Sequence, residues 1–126
     1  MDFISTSKAP EAAGHYSQAV VHKGFVFVSG QLPLDPVTRH VVEGGIEHQV
    51  RQTIDNVRHI LEAAGSDLQH VIKVNISITD GNLWGEVNRV YADCFQQHKP
   101  ARAVIPCGDL HYGALLEMEV IAAVKA

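Results

Sequence analysis

The residue best suited to chemistry in this sequence is Arg102, which directly follows Pro100 and Ala101. A proline restricts the backbone before it, so an arginine at the start of a predicted strand is held in a defined direction. Its planar guanidinium matches a carboxylate through two parallel hydrogen bonds. The same side chain could instead form a structural ion pair with a nearby acid. The sequence therefore indicates either a carboxylate-binding site or a salt bridge at Arg102.

Glu117 is the acid that we expect to lie beside Arg102. It interrupts an apolar C-terminal strand, where an acid is costly unless it is paired or functional. A tight connection near Asp109 and Leu110 would place the two residues opposite each other in an antiparallel strand pair. A carboxylate there could position a water molecule or form a simple salt bridge. Glu119 shares the same strand face by alternation, so the pattern does not distinguish the two acids.

Other residues with reactive or polar groups give weaker indications. Tyr16, which precedes the first strand, could close a pocket or pack in the core. Ser29 and Gly30 lie at a strand end, but no His/Asp pattern nearby marks the serine as a nucleophile. The eight histidines include no HxxxH or HExxH spacing, and Cys94 and Cys107 are isolated. The sequence therefore predicts no metal site.

The bulk composition is that of one globular domain over residues 1–126, with 46% hydrophobic and 19% charged residues. The net charge is −4 and the basic residues are scattered, so nucleic-acid binding is not expected. The apolar runs are too short to span a membrane, and residues 1–5 do not resemble a secretory signal. Isolated cysteines favour a reducing, cytoplasmic location.

The elements that must position these side chains follow from hydrophobic periodicity. Helical spacing predicts one helix from Ile46 to Ala64 and a second from Leu83 to about Gln97. Clean alternation predicts a strand from Val71 to Thr79, whose polar face could line a subunit interface. Further short strands are predicted over 17–22, 25–29, 40–43, 101–106 and 115–124. This order is typical of an α+β domain with two helices packed on one face of a mixed sheet.

Motifs along nearly the whole chain resemble those of the reactive intermediate deaminases, also called RidA, YjgF or L-PSP. They occur in the family's order: Gly14–Val20, Val28–Pro33, Gln49 with Gln52, Asn56-Val57, Leu61–Gly65, Val71–Val74, Asp80, Asn88 with Tyr91 and Phe95, Pro100–Arg102, and Gly113-Ala114 with Glu117–Glu119. The resemblance implies a chorismate-mutase-like fold and a homotrimer with sites between subunits. It also implies hydrolysis of short-lived 2-imino acids and enamines, such as 2-aminoacrylate, to 2-keto acids and ammonia without a cofactor.

The resemblance also implies roles for individual residues. Arg102 matches the arginine that holds the substrate carboxylate, and Glu117 matches the acid that holds the attacking water. Val104 falls where a backbone amide contacts the substrate, at a position that is often cysteine in the family. The other positions around the implied pocket are Tyr16, Ser29, Gly30 and Asn88.

Three features depart from the family pattern and leave the substrate open. His15 and His111 stand where the family usually has proline, and the connection from Phe95 to Pro100 is short. The physiological substrate could therefore be a small imine or a larger enamine such as 2-aminomuconate. A non-catalytic protein that binds 2-keto acids is a further alternative. Ribonuclease activity, reported for relatives under the L-PSP name, is disfavoured by the acidic charge balance.

Overall fold

Six strands form one mixed sheet in the computed structural model, which describes residues 1–126. The strands are β1 Asp2–Ile4, β2 Ala19–His22, β3 Phe25–Gln31, β4 Val71–Ile78, β5 Ala101–Pro106 and β6 Leu116–Ala123. Their order across the sheet is β1-β2-β3-β6-β4-β5. Only β4 and β5 run parallel, whereas every other neighbouring pair is antiparallel. The predicted α+β class with a mixed sheet is confirmed.

Two helices, α1 Ile46–Ala63 and α2 Trp84–Phe95, lie close to their predicted positions. The first helix ends where Gly65 adopts a φ of 80°, a left-handed conformation that glycine takes at little cost. A short 3₁₀ turn over Gly81–Leu83 leads into the second helix, and the Asp80 carboxylate there accepts a hydrogen bond from the backbone N–H of Asn82.

The hydrophobic core lies between the helices and one face of the sheet. On β4, Val74, Ile76 and Ile78 are completely or almost completely buried, as the alternating sequence predicted. On β6, the buried residues are Leu116, Met118 and Val120, each adjacent to a β4 partner in the strand register. The alternate residues of both strands, which include the two acids of β6, therefore face away from the helices.

The sheet face opposite the helices carries large apolar side chains together with polar ones. Phe25 and Phe27 of β3 are each 45% exposed, and Phe27 lies beside Ile121 of β6. Lys73 and Asn75 continue this face on β4. Exposed aromatic rings of this kind are typical of a surface that contacts another protein.

The strand prediction over 40–43 is wrong, and one observed strand was not predicted. No strand forms over 40–43; a single bridge joins Leu34 to Val41, because prolines interrupt the loop and Arg39 adopts a φ of 63° that turns the chain. Strand β1 does not follow from the sequence pattern. Its three residues are too short to show a period, and the strand forms only because it pairs with β2.

Candidate active site

Arg102 and Glu117 do not form the antiparallel pair that the sequence suggested, because β4 lies between β5 and β6. In the register, Arg102 is the neighbour of Val74, whereas Glu117 is the neighbour of Ser77. Neighbouring residues in a sheet point to the same face, so Arg102 faces the helices and Glu117 faces the opposite side. The physical reason is the β4–α2–β5 crossover, which adds β5 parallel to β4 on its outer side.

Arg102 lies beneath α2, where aromatic rings and no acids surround it. Its guanidinium carbon is 4.7 Å from the centre of the Tyr91 ring and 5.7 Å from that of Trp84. None of the ion pairs in the protein involves Arg102. Together with Asn88, it lines a cavity of about 460 Å³. The positive charge of Arg102 is therefore available to an external anion.

Val104 lies two residues further along β5, on the same face as Arg102 and beside Ile76. Its side chain is partly buried against the core, so a thiol at this position is not needed for packing. Because β5 is an edge strand, one side of its backbone has no partner strand. Backbone amides on that side can donate hydrogen bonds to a ligand.

Glu117 lies against the backbone of Gly30, at a bulge in β3. Between Val28 and Gln31 the strand contains one more residue than the facing segment of β6. A Cβ atom added to Gly30 would be 2.9 Å from Cδ of Glu117 and 3.0 Å from its Oε2. Only a residue without a side chain allows the carboxyl group to occupy this position.

The surroundings of Glu117 and Glu119 distinguish the two acids. Asn75 donates a hydrogen bond of 3.0 Å to Oε1 of Glu119, which is exposed. Glu117 is half-buried and has no hydrogen-bond donor. Burial raises the pKa of Glu117, repulsion from Glu119 raises it further, and attraction to His111 partly opposes the shift. A carboxyl group with a raised pKa and no partner is suited to exchanging a proton with bound water.

Tyr16 and Gly30 line a cavity of about 320 Å³, together with His111 and Tyr112. The Tyr16 hydroxyl accepts a hydrogen bond of 3.2 Å from the backbone N–H of Ala13.

Ser29 has a supporting position beside this cavity. Its hydroxyl donates a hydrogen bond of 2.6 Å to the carbonyl of Ser17, and its backbone N–H donates to the carbonyl of Gln18. These bonds attach the segment that follows Tyr16 to the bulge at Gly30. The hydroxyl donates its proton to a carbonyl and has no side-chain base beside it. Ser29 therefore lacks the activation that a nucleophile needs.

The predicted site residues thus form two groups within one chain. The acidic half-site consists of Tyr16, Ser29, Gly30 and Glu117, and the arginine half-site consists of Asn88, Arg102 and Val104. Trp84 and Tyr91, which lie beside Arg102, were not among the predicted site residues. They are seven residues, or two helical turns, apart on the helix that precedes the Ala-Arg motif. This spacing places both rings on one side of the helix and is the signal that could have found them.

The chain offers no evident place for a metal ion, since no three His, Cys, Asp or Glu side chains cluster together. Neither helix is both long and apolar enough to cross a membrane. The chemistry that these half-sites can support is binding of a carboxylate by Arg102 and proton exchange with water by Glu117.

Comparison with known proteins identifies close relatives. A family model described as Endoribonuclease L-PSP matches residues 6–124. A RutC family protein of Pyrococcus horikoshii is 43% identical over 121 residues, which cover 96% of each chain. A 2-iminobutanoate/2-iminopropanoate deaminase of Rattus norvegicus is 43% identical over 119 residues, covering 94% of this chain and 87% of that protein. The crystal structure of E. coli TdcF with bound serine has a TM-score of 0.94 at 34% identity, covering 99% of this chain and 100% of that one.

Proposed function

Because this chain belongs to the L-PSP family, also called RidA or YjgF, we propose that it hydrolyses 2-imino acids and their enamine tautomers to 2-keto acids and ammonia. The main support is that Arg102 has no acidic partner and Glu117 has no hydrogen-bond donor. A partly buried charge without a partner costs folding free energy, so two such groups in one chain favour a functional role. The relatives named as 2-iminobutanoate/2-iminopropanoate deaminases fit this chemistry.

In the proposed site, Arg102 binds the carboxylate of the substrate through two parallel N–H···O hydrogen bonds. Asn88, which lines the same cavity, can hydrogen-bond a polar group of the substrate, and the open edge of β5 at Val104 offers a backbone N–H. These contacts fix the imine carbon in one position relative to the water. Orientation of this kind can supply a large part of the rate enhancement, because the reaction is otherwise bimolecular.

Glu117 acts as the acid–base group of the reaction. It takes a proton from a water molecule while the water oxygen bonds to the imine carbon and the C=N double bond becomes a single bond. The carboxylic acid then returns this proton to the nitrogen, which completes an adduct with one hydroxyl and one amino group. Glu117 next takes the hydroxyl proton and passes it to the nitrogen as the C–N bond breaks, so ammonia leaves and the C–O bond becomes a keto group. Water is the only co-reactant, and no electrons are transferred to or from an external acceptor.

The two half-sites point to opposite faces of the sheet, so we propose that a complete site needs two copies of the chain. A homotrimer, as the family resemblance implies, would bring the arginine half-site of one copy to the acidic half-site of the next. The exposed rings of Phe25 and Phe27 favour burial of this sheet face against other copies. The serine bound in TdcF supports a small carboxylate as the ligand.

A second candidate substrate is a larger enamine, such as 2-aminomuconate. The cavity beside Tyr16 has a volume of about 320 Å³ and is lined by His111 and Tyr112, a size in the range of ordinary ligand pockets. Comparison of kcat/KM for small and large 2-imino acids would identify the preferred class. A preference for the smallest imines would reject the larger enamine.

The decisive experiment for the proposed function replaces Arg102 with alanine. Loss of two charge-assisted hydrogen bonds should lower kcat/KM for 2-iminobutanoate by about a hundredfold or more, measured as 2-oxobutanoate formation from imine generated in solution. Arg58→Ala is the matched control, because Arg58 is paired with Asp55 and Glu62 on α1. Equal rates for Arg102→Ala and the unmodified protein would reject the function, as would no acceleration over buffer.

A further inference from the structure

We propose that Trp84 and Tyr91 are positioning residues that hold the guanidinium of Arg102 ready for a carboxylate, a role that rests on the proposed function of this site. Trp84 is the first residue of α2, and Tyr91 follows after seven residues, which is two helical turns. Both rings therefore lie on the side of the helix that faces the start of β5. Their distances of 5.7 Å and 4.7 Å from the guanidinium carbon are within the range of cation–π attraction.

Aromatic neighbours can orient the Arg102 side chain without occupying its N–H donors. A carboxylate beside Arg102 would orient the side chain, but it would also occupy its N–H donors and neutralise its charge. An aromatic ring attracts the cation through its quadrupole and carries no net charge. Arg102 therefore keeps both its orientation and its full affinity for an external anion.

The two rings are held in different ways. Tyr91 is only 6% exposed and stacks on Phe95, with ring centres 4.5 Å apart, so the core fixes its position. Trp84 is 46% exposed, so its ring is less fixed by the core. Contact with both rings restricts the guanidinium, which lowers the entropy cost of ordering a long side chain on binding.

The ring of Tyr91, and not its hydroxyl group, is the part that contacts Arg102. The hydroxyl is buried and makes no hydrogen bond. Burial raises the pKa of Tyr91 to about 12, so the group is neutral under ordinary conditions and supplies no negative charge to the arginine. Phenylalanine should therefore replace Tyr91 without loss of ligand binding.

The test measures the binding of 2-oxobutanoate, a stable 2-keto acid, by titration calorimetry. Trp84→Leu and Tyr91→Leu should weaken binding by about five- to thirtyfold, whereas Trp84→Phe and Tyr91→Phe should bind nearly as well as the unmodified protein. Trp84 lies outside the core, so its variants remain informative if Tyr91→Leu fails to fold. Unchanged affinity in Trp84→Leu overturns the proposal. Equal losses in Tyr91→Phe and Tyr91→Leu would also overturn it, since the hydroxyl would then be responsible.

A double-mutant cycle separates positioning from general packing. In an Arg102→Ala background, Trp84→Leu should cause no further loss of 2-oxobutanoate affinity, because its effect acts through the arginine. An equal loss with and without Arg102 would show a packing effect and overturn the proposal. Failure of the proposed function gives a different result: 2-oxobutanoate still binds with the predicted coupling, but imine hydrolysis is not accelerated.

Discussion

At the residue scale, the acid that lacks a partner is the better candidate for chemistry. Glu119 receives a hydrogen bond from Asn75, whereas Glu117 contacts the backbone of Gly30 and has no hydrogen-bond donor. The strand pattern leaves the two residues equivalent, because both point to the same face. Their difference arises from the bulge in β3, which brings a glycine against one acid and not the other.

The raised pKa of Glu117 predicts how activity depends on pH. The carboxylate is the form that accepts a proton from water, so activity should fall as pH decreases through a pKa above the ordinary glutamate value. Ionisation is disfavoured in the folded protein, so stability should fall as pH rises from that ordinary value through the raised pKa. Glu119→Gln removes a like charge and should move the acidic limb of the kcat/KM profile to lower pH.

Glu62→Gln is the control for this shift, because Glu62 lies on α1 and pairs with Arg58. Its pH profile should match that of the unmodified protein. Abolition of activity by Glu119→Gln, with Glu117→Gln still active, would reverse the roles of the two acids.

Gly30→Ala should impair the site without unfolding the protein. The added Cβ would be 2.9 Å from Cδ of Glu117, so the carboxyl group must move from its position. A displacement of this size should lower kcat/KM by about tenfold to a hundredfold. Gly85→Ala is the matched control, because its added Cβ would meet no other segment within 4 Å and alanine is a better helix former than glycine. Full activity of Gly30→Ala would show that the close contact does not matter.

At the scale of elements, buried amides on α1 hold the loops beside the acidic half-site. Asn56 donates hydrogen bonds of 3.2 Å and 2.9 Å to the carbonyls of Leu32 and Leu34, which follow β3. Gln49 accepts a hydrogen bond of 2.9 Å from the backbone N–H of Leu115, just before β6. One helix therefore positions the segments on both sides of the Gly30–Glu117 contact.

Asn56→Ala tests this attachment. Removal of the amide leaves the carbonyl of Leu34 without a donor, whereas that of Leu32 still accepts from the backbone N–H of Leu34. The buried unpaired carbonyl should lower the free energy of unfolding by about 1–3 kcal/mol. Urea denaturation measures the change in the free energy of unfolding. Gln97→Ala is the control, because the Gln97 side chain is exposed and makes no hydrogen bond within the protein. A change below about 0.5 kcal/mol would show that the loop is held by other contacts.

At the scale of the whole molecule, the arginine half-site and the acidic half-site lie on opposite faces of the sheet. Arg102 faces the helices on an edge strand, and Glu117 faces the opposite side of the sheet. From this arrangement we infer that one small substrate meets the two groups only where two copies adjoin. If copies share sites as proposed, two inactive variants should restore activity when they assemble together.

Mixed assembly of Arg102→Ala and Glu117→Gln tests this sharing. In a ring of three, equal mixing should make about one quarter of the sites complete, since each site takes its arginine and its glutamate from different copies. Co-refolding the two variants and measuring imine hydrolysis gives the result. Each variant refolded alone is the control. Activity no higher than that of the single variants would show that each site belongs to one chain.

The sequence by itself determined both helices, five of the six strands and the residue types of the candidate site. Hydrophobic periodicity predicted the ends of both helices and of strands β2 to β6 to within a few residues. The reason is that burial of one face requires apolar residues at intervals of 3.6 residues in a helix and 2 residues in a strand. Arg102 was recognisable by its place after Pro100 and Ala101, and Glu117 as a costly acid within an apolar strand. Ordered motifs identified the family, which the comparisons confirm.

Only the tertiary structure decided which of these residues meet. Strand order is a long-range property, so no local pattern could show that β4 separates β5 from β6, or that Arg102 and Glu117 face opposite sides. The same holds for the contact between Gly30 and Glu117, which depends on one extra residue in β3. The aromatic neighbours of Arg102 also come from a separate helix. The type of each residue is read directly from the sequence, but the residues that it contacts depend on how distant segments pack.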